Sequence, residues 1–180
     1  MCEGNDRKGV TVWFTGLPCS GKSAIADRAA EILSERGFRA ERLDGDIVRK
    51  DLTRDLGFSK ADRDENIRRV TFVSKLLSRN GVIVLTSFIS PYRELRAHAR
   101  NENKDFLEVY VKCPLEVCME RDVKGMYKKA IAGVIKEFTG VSDPYEEPLQ
   151  AELVLETDKE TLEESTARVL AALKERGYLD

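Results

Sequence analysis

The sequence has a single histidine and no apolar run approaching the roughly 20 residues that a membrane-spanning helix needs. Its polar start, residues 1–8, lacks the apolar core of a signal peptide. The 30 basic and 32 acidic side chains nearly cancel, to a net charge of -2, so no large positive field attracts nucleic acid or an anionic membrane. We therefore expect a cytoplasmic protein that binds neither nucleic acid nor membranes.

The four cysteines, Cys2, Cys19, Cys113 and Cys118, follow no zinc-binding spacing, and His98 is the only histidine that could complete such a site. In a reducing compartment, free thiols are the ordinary state. The sequence predicts four free thiols, with a redox-sensing pair as the alternative.

Strand-like and helix-like segments alternate along the 180 residues, with no repeat or linker between them. This order predicts an α/β fold in one domain spanning residues 1–180, with a central parallel sheet of about five strands and helices on both faces. The predicted strands are residues 10–15, 39–43, 82–86, 106–111 and 152–156, and the predicted helices are residues 22–37, 62–80 and 161–177. One glycine-punctuated, highly charged stretch, about residues 121–142, breaks the alternation and is predicted to be a lid inserted over a site.

A glycine-rich motif follows the first predicted strand and opens the first helix. It reads Gly16-Leu17-Pro18-Cys19-Ser20-Gly21-Lys22-Ser23, the pattern of a P-loop. The glycines let backbone N–H groups wrap a phosphate closely, Lys22 adds a positive charge, and Ser23 supplies a hydroxyl to Mg²⁺. With the alternating elements, the motif predicts a three-layer α-β-α P-loop NTPase fold that binds ATP and Mg²⁺.

A second motif, Asp44-Gly45-Asp46, follows the second predicted strand, and Arg49 comes one turn later. Two carboxylates beside a phosphate loop can hold Mg²⁺ through its waters and orient or deprotonate an attacking hydroxyl. The plain alternative is a turn and helix cap. The third strand ends without the aspartate of many NTPases, and an Asn-Lys-x-Asp motif for guanine is absent, which favours a small-molecule kinase over a GTPase switch.

The sequence resembles the adenylylsulfate kinase (APS kinase) family, from about Val12 to Tyr145. That family transfers the γ-phosphate of ATP to the 3′-hydroxyl of adenosine 5′-phosphosulfate (APS) and produces PAPS in sulfate activation. Besides the P-loop, the resemblance rests on five segments: Leu43-Asp-Gly-Asp46 with Arg49; Leu56-Gly-Phe-Ser59 with Asp62, Arg63 and Glu65 to Arg69; Thr86-Ser-Phe-Ile-Ser-Pro-Tyr-Arg93; Arg121-Asp-Val-Lys-Gly125; and Phe138-Thr-Gly140. It departs from the usual family pattern at Val123 and Met126. The resemblance further implies a homodimer and a functional link with ATP sulfurylase.

The resemblance assigns roles to matching positions. Phe58 and Phe138 correspond to rings that sandwich the adenine of APS, and Arg121 to the arginine that packs on the adenine of ATP. Lys124 belongs to the lid that closes over the phosphates. The remaining APS-binding positions implied are Asp46, Arg49, Arg63, Asn66, Ile89, Ser90 and Lys128. Without the resemblance, the lid lysines read as a solvated charged face.

Three assignments concern the chemistry itself. The position of Ser90 has been described as a phosphoserine in families of this type, but no base stands beside it in the sequence, so we expect a positioning role in direct transfer. Asp46 is the favoured base for the acceptor hydroxyl, and Asp44 the favoured Mg²⁺ residue. The alternatives are another small-molecule P-loop kinase, such as a gluconate or nucleoside monophosphate kinase, and a non-catalytic nucleotide-sensing domain.

Overall fold

In the computed structural model, which describes residues 8–180, a five-stranded sheet forms the centre of the protein. All the strand pairs are parallel, and the spatial order is β2-β3-β1-β4-β5. The strands are β1 (Val10–Thr15), β2 (Ala40–Asp44), β3 (Ile83–Ser87), β4 (Phe106–Lys112) and β5 (Leu153–Glu156). The predicted α/β fold with about five parallel strands is confirmed.

Seven helices connect or follow these strands within residues 8–180. They are α1 (Lys22–Glu35), α2 (Gly45–Val48), α3 (Lys60–Ser78), α4 (Arg93–Glu102), α5 (Leu115–Arg121), α6 (Met126–Ile131) and α7 (Leu162–Glu175). Helices α1, α3 and α7 were predicted from the sequence, whereas no helix was predicted for the other four segments. Helix α3 also begins two residues before its predicted start, because the Ser59 hydroxyl accepts a hydrogen bond from the Asp62 N–H and so caps the helix.

The two faces of the sheet bury different helices, as the alternation of side chains along β1 requires. Val10, Val12 and Phe14 face a core shared with α1 and α7. Trp13 lies on the opposite face, in a core shared with α3 and α4. All six β1 residues are buried, which is typical of a central parallel strand covered on both sides. The result is the three-layer arrangement expected from the sequence.

The carboxyl ends of β1, β2 and β3 bring the predicted motifs together. Asp44 at the end of β2 is the register partner of Ser87 at the end of β3, and Ser87 is also paired with Phe14 of β1. The P-loop begins two residues after Phe14. In parallel α/β sheets, ligands bind beyond these strand ends. The fold thus places three loops around one cleft.

The predicted lid stretch, about residues 121–142, begins at the last residue of α5 and contains α6. It rests on a small apolar cluster of its own, which includes Cys113, Cys118, Tyr127, Ala130 and Phe138. Leu17 and Cys19 of the P-loop pack against this cluster. The lid stretch is therefore in direct contact with the nucleotide loop. Within residues 8–180, no helix has both the length and the apolar character to cross a membrane.

Candidate active site

The P-loop connects β1 to α1, and its two glycines have conformations that other residues rarely adopt. Gly16 has φ 153° and Gly21 has φ 101°. A Cβ atom on Gly16 would lie 2.4 Å from the Val111 carbonyl oxygen, so a side chain is also excluded by space. Gly21 is the N-cap of α1. The loop can therefore present its backbone N–H groups and the positive end of α1 to a phosphate.

Lys22 lies inside this loop rather than in solvent. Its ammonium group donates to the carbonyl oxygens of Gly16 at 3.0 Å and Leu17 at 2.6 Å, and only 8% of the residue is exposed. Burial lowers the pKa of Lys22 to about 8. A buried cation within a glycine-rich loop can supply positive charge to phosphate oxygens.

A cluster of oxygen atoms lies beside the first turn of α1. The hydroxyls of Ser23 and Ser87 donate to the same Asp44 carboxylate oxygen, at 2.7 and 2.9 Å. Burial alone raises the pKa of Asp44, but hydrogen bonds from Ser23, from a backbone amide and from Ser87 hold it below its ordinary value. The carboxylate thus stays ionised. Hydroxyl and carboxylate oxygens are the donors that Mg²⁺ prefers, so this cluster fits the predicted metal site.

Asp46 lies on α2, where its backbone N–H donates to the Asp44 carboxylate at 2.9 Å. Its own carboxylate forms an ion pair with Lys124 of the lid stretch. This hydrogen bond raises the pKa of Lys124. Both side chains of the pair are mostly exposed, so they can exchange partners readily. Lys128 lies on α6, and its backbone N–H donates to the Asp122 carboxylate at 3.0 Å. Within residues 8–180, no hydrogen bond or ion pair joins Lys128 to the P-loop.

Arg63 connects the two segments that carry the predicted aromatic pair. Its guanidinium group donates to the Phe58 carbonyl oxygen at 2.8 Å and to the Thr139 hydroxyl at 2.7 Å. It also donates to the Glu137 carbonyl oxygen and pairs with Asp143 at 3.1 Å. Arg63 therefore ties the segment of Phe58, on one side of the cleft, to the segment of Phe138.

The two rings differ in how the protein supports them. Phe58 is 62% exposed, and the guanidinium carbon of Arg49 lies 4.4 Å from its ring centroid. Phe138 is 9% exposed and meets the ring of Tyr127 edge-on, with 5.1 Å between centroids. The Phe58 ring is thus open to a ligand, whereas the Phe138 ring is packed in the small apolar cluster beneath the lid stretch. Asn66 is buried, and its amide oxygen accepts a hydrogen bond from the Thr53 hydroxyl at 2.8 Å.

Ser90 lies in a constrained segment after β3. Its φ is 40°, it is 2% exposed, and its hydroxyl accepts a hydrogen bond from the Trp13 indole N–H at 3.0 Å. The Ser90 carbonyl oxygen accepts from the Arg96 guanidinium at 2.5 Å, and that of Ile89 accepts from Thr15 at 2.7 Å. A hydroxyl held in this way is badly placed for nucleophilic attack, which favours the positioning role expected from the sequence.

Arg121 is linked to the P-loop by one residue, Thr157. Its guanidinium donates to the carbonyl oxygen of Thr157 at 2.5 Å and to the Thr157 hydroxyl at 3.2 Å. That hydroxyl in turn donates to the Ser20 carbonyl oxygen at 2.8 Å. The guanidinium is thus close to the nucleotide side of the cleft, as its predicted role requires.

Comparison with known proteins agrees with this geometry. The sequence model of the Adenylylsulphate kinase family matches residues 8–156. The chain belongs to this family. It is 59% identical over 175 residues to the adenylyl-sulfate kinase of Halothermothrix orenii, with 97% of this chain and 95% of that protein covered. It is 57% identical over 173 residues to that of Rippkaea orientalis, with 96% of each covered.

A solved relative was determined with two ligands bound. The Mycobacterium tuberculosis APS kinase CysC, determined in complex with AMPPNP and APS, superimposes with a TM-score of 0.91 and 45% identity. The match covers 93% of this chain and 99% of that one. The resemblance stated from the sequence motifs is thereby confirmed, as is the prediction of an ATP-dependent kinase of this family.

Several residues that support the site were not singled out from the sequence. Arg42 donates to the Leu85 carbonyl oxygen at 2.9 Å and to the Ser87 hydroxyl at 3.1 Å, and it lies 3.5 Å from the Asp44 carboxylate. It therefore braces the oxygen cluster. Arg96 and Thr157 act similarly on the Ser90 segment and the P-loop. No signal in the sequence could have found them, because their partners lie far away along the chain.

The cysteines and the acidic side chains offer no second centre in the described residues. Cys19, Cys113 and Cys118 are free thiols, and Cys2 lies outside the described range. Across residues 8–180, no group of three or more histidine, cysteine, aspartate or glutamate side chains is placed to hold a metal ion. The oxygen cluster around Asp44 differs from such a group because two of its three members are serines.

Proposed function

We propose that the chain transfers the γ-phosphoryl group of ATP to the 3′-hydroxyl of APS, giving ADP and PAPS. The observation that carries the proposal is the placement of a P-loop, an acidic turn and two Arg63-linked aromatic segments around one cleft. The P-loop fits the donor, and the aromatic segments fit a nucleotide acceptor. Family membership and the complex of the M. tuberculosis relative with AMPPNP and APS support the same assignment.

On the donor side, the residues of the P-loop hold the triphosphate. Backbone N–H groups of the P-loop surround the β-phosphate, and Lys22 reaches the β- and γ-phosphate oxygens. The Lys22 ammonium would exchange the carbonyl oxygens of Gly16 and Leu17 for phosphate oxygens, and there it would neutralise charge that develops during transfer. Arg121 lies where it can pack on the adenine of ATP.

Ser23 and Asp44 would hold Mg²⁺, Asp44 through water, and Ser87 and Arg42 would keep the Asp44 carboxylate in place. Held there, the metal would supply positive charge that offsets the negative charge of the phosphates. We therefore propose that this chain binds ATP together with Mg²⁺.

On the acceptor side, the rings of Phe58 and Phe138 would stack on the adenine of APS. Arginine side chains recognise dianionic groups through paired N–H donors, which suits the phosphosulfate group. The residues proposed to bind APS are Asp46, Arg49, Arg63, Asn66, Ile89, Ser90 and Lys128.

The transfer is direct. The 3′-oxygen of APS attacks the γ-phosphorus, and the bond from that phosphorus to the bridging oxygen of ADP breaks. The proton of the 3′-hydroxyl passes to the carboxylate of Asp46. Lys124, which is paired with Asp46 in the structure, would then pair with the transferring phosphoryl oxygens, whose charge it helps to neutralise.

The test is ADP release and PAPS formation by the purified chain with MgATP and a series of acceptors. We expect PAPS from APS, no ADP release with 3′-deoxy-APS, and at most slow release with gluconate or AMP. Turnover of gluconate or AMP above that of APS would support another small-molecule kinase. Tight binding of APS or PAPS without any ADP release would support a nucleotide-sensing domain.

The metal proposal has a separate test, because nucleotide binding can be measured without turnover. We expect Asp44→Asn to weaken the binding of MgADP while leaving the binding of metal-free ADP nearly unchanged. Asp46→Asn is the matched variant and should lower kcat without changing the preference for MgADP. Equal losses of metal preference in both variants would contradict the division of roles.

The sequence resemblance also implies a homodimer and a functional link with ATP sulfurylase, and we propose both for this chain on the strength of family membership. We also propose a cytoplasmic location, which the sequence predicts because it has no apolar run long enough to span a membrane. Sedimentation at several protein concentrations would test the first.

A further inference from the structure

Tyr127 touches both halves of the cleft, although the sequence assigned it no role. It lies on α6 and is 1% exposed. Its hydroxyl donates to the Pro18 carbonyl oxygen of the P-loop at 3.0 Å. Its ring meets the Phe138 ring edge-on, at 5.1 Å between centroids and 78° between planes. One side chain thus joins the ATP loop to a wall of the APS site.

The surrounding chain leaves little slack between these two contacts. Gly140, two residues after Phe138, has φ 92°, and a Cβ atom there would lie 3.1 Å from Leu17 and 3.3 Å from Leu115. The segment after Phe138 therefore packs closely against Leu17 of the P-loop. A displacement of the loop must move the Phe138 segment or open a gap in a closely packed cluster.

Tyr127 is itself held firmly. The Asp122 carboxylate accepts hydrogen bonds from the backbone N–H groups of Tyr127 and Lys128, each at 3.0 Å. Burial raises the pKa of Tyr127 well above its ordinary value, so its hydroxyl remains a donor at physiological pH. A rigid side chain with one polar and one aromatic contact transmits position from one segment to the other.

We propose that Tyr127 is a positioning residue that couples the two substrate sites. Nucleotide binding fixes the P-loop, the Tyr127 hydroxyl follows the Pro18 carbonyl oxygen, and the Tyr127 ring sets the Phe138 ring for stacking on APS. Each ligand then lowers the ordering cost of the other, so each binds more tightly when the other is present. This inference rests on the proposed function, since it requires ATP and APS as the two ligands.

The experiment measures the dissociation constant of MgAMPPNP without APS and with saturating APS, by calorimetry, so that no turnover occurs. In the unaltered chain, APS should tighten MgAMPPNP binding, and MgAMPPNP should tighten APS binding by the same factor. Tyr127→Phe removes the hydrogen bond to Pro18 and keeps the ring contact with Phe138. We expect this variant to reduce the coupling factor roughly two- to tenfold, the usual worth of one hydrogen bond.

The matched control is Tyr178→Phe. The Tyr178 hydroxyl donates to the Asp105 carboxylate at 2.8 Å, beside the amino end of β4 and so at the opposite edge of the sheet from the cleft. The control therefore loses one tyrosine hydrogen bond away from both proposed ligands. Its coupling factor should equal that of the unaltered chain. The proposal is overturned if the unaltered chain shows no coupling, if Tyr127→Phe retains the full factor, or if both variants lose it equally. Failure of the unaltered chain to bind APS at all would instead refute the proposed function, and the coupling with it.

Discussion

The two halves of the cleft are built in different ways. In the nucleotide half, Lys22 bonds to carbonyl groups only five and six positions away in the sequence. In the acceptor half, Arg63 bonds to Glu137 and Thr139, which are 74 and 76 positions away. A short continuous segment thus makes the proposed phosphate site, whereas distant segments must meet to make the proposed acceptor site.

This difference separates what each half contributes to the reaction. Interactions that form with the transferring phosphate act mainly on kcat, and interactions that only hold the acceptor act mainly on KM. Variants of the two halves should therefore give different kinetic signatures with the same pair of substrates.

The largest effect should come from the nucleotide half. Lys22→Met removes the positive charge proposed to stabilise the transferring phosphoryl group, and we expect kcat to fall at least about 100-fold. Steady-state PAPS formation measures the loss, with Lys104→Met as the control for an exposed lysine. A rise in the KM for APS with no change in kcat would contradict this division between the two halves.

The acceptor half should respond to Arg63→Met with a change in KM. The substitution removes the hydrogen bonds that join the Phe58 and Phe138 segments, which are proposed to hold APS. We expect the KM for APS to rise about 10- to 100-fold, the usual cost of one lost charged hydrogen bond or slightly more, with a smaller change in kcat.

Arg69→Met is the control on the same helix, because Arg69 pairs with Asp55 and Glu65 at the surface. It should leave KM unchanged. Equal, mild effects of Arg63→Met and Lys22→Met on all the kinetic constants would show that the two halves do not act separately.

A smaller effect concerns stability. Keeping the Lys22 ammonium buried costs folding free energy, as its lowered pKa indicates. Without nucleotide, Lys22→Met should therefore be more stable than the unaltered chain at pH 7, by about 1–3 kcal/mol. Urea denaturation measures the difference.

The pH dependence of that difference follows from the same pKa. Between about pH 8 and 10.5, Lys22 is deprotonated in the folded protein and still protonated in the unfolded chain. The unfolded chain then binds more protons, so the free energy of unfolding of the unaltered protein rises with pH and the gap to Lys22→Met narrows. If the difference in free energy of unfolding between the two proteins stayed constant across this pH range, the lowered pKa of Lys22 would be wrong.

The smallest effect should come from Ser90→Ala. The hydroxyl accepts a hydrogen bond from Trp13, and its proposed role is positioning, so we expect kcat to stay within about tenfold of the unaltered value. Intact-mass measurement of the unaltered protein after incubation with ATP should show no phosphorylated chain. A loss of more than a thousandfold, together with a phosphorylated Ser90 in the unaltered protein, would establish a covalent route instead.

The halves also differ in how far the sequence could predict them. The apolar run of β1 and the P-loop that follows it are contiguous, so local chemistry alone predicts a strand, a phosphate loop and a helix. Asp44 could be placed near the P-loop because parallel strand ends meet at one sheet edge. Its bond to Ser87 depends on the register of β2 and β3, which no local pattern sets.

Other features depended on contacts that only the folded chain makes. The bracing by Arg42 and Arg96 arises from side chains that cross between segments. The family resemblance assigned Arg63 to APS, but it gave no reason to expect that the same guanidinium ties two segments together. Helix α4 was missed because it follows a motif-rich loop and has a charged, weakly apolar sequence.

Trp13 gives this protein a built-in optical probe. It is the only tryptophan in the sequence, it stacks between Phe88 and Phe106, and it is bonded to the Ser90 hydroxyl. Its emission therefore comes from one buried place, directly beneath the loop proposed to hold the acceptor. Stopped-flow fluorescence can follow that loop as APS arrives and PAPS leaves, without any label and without altering a single residue.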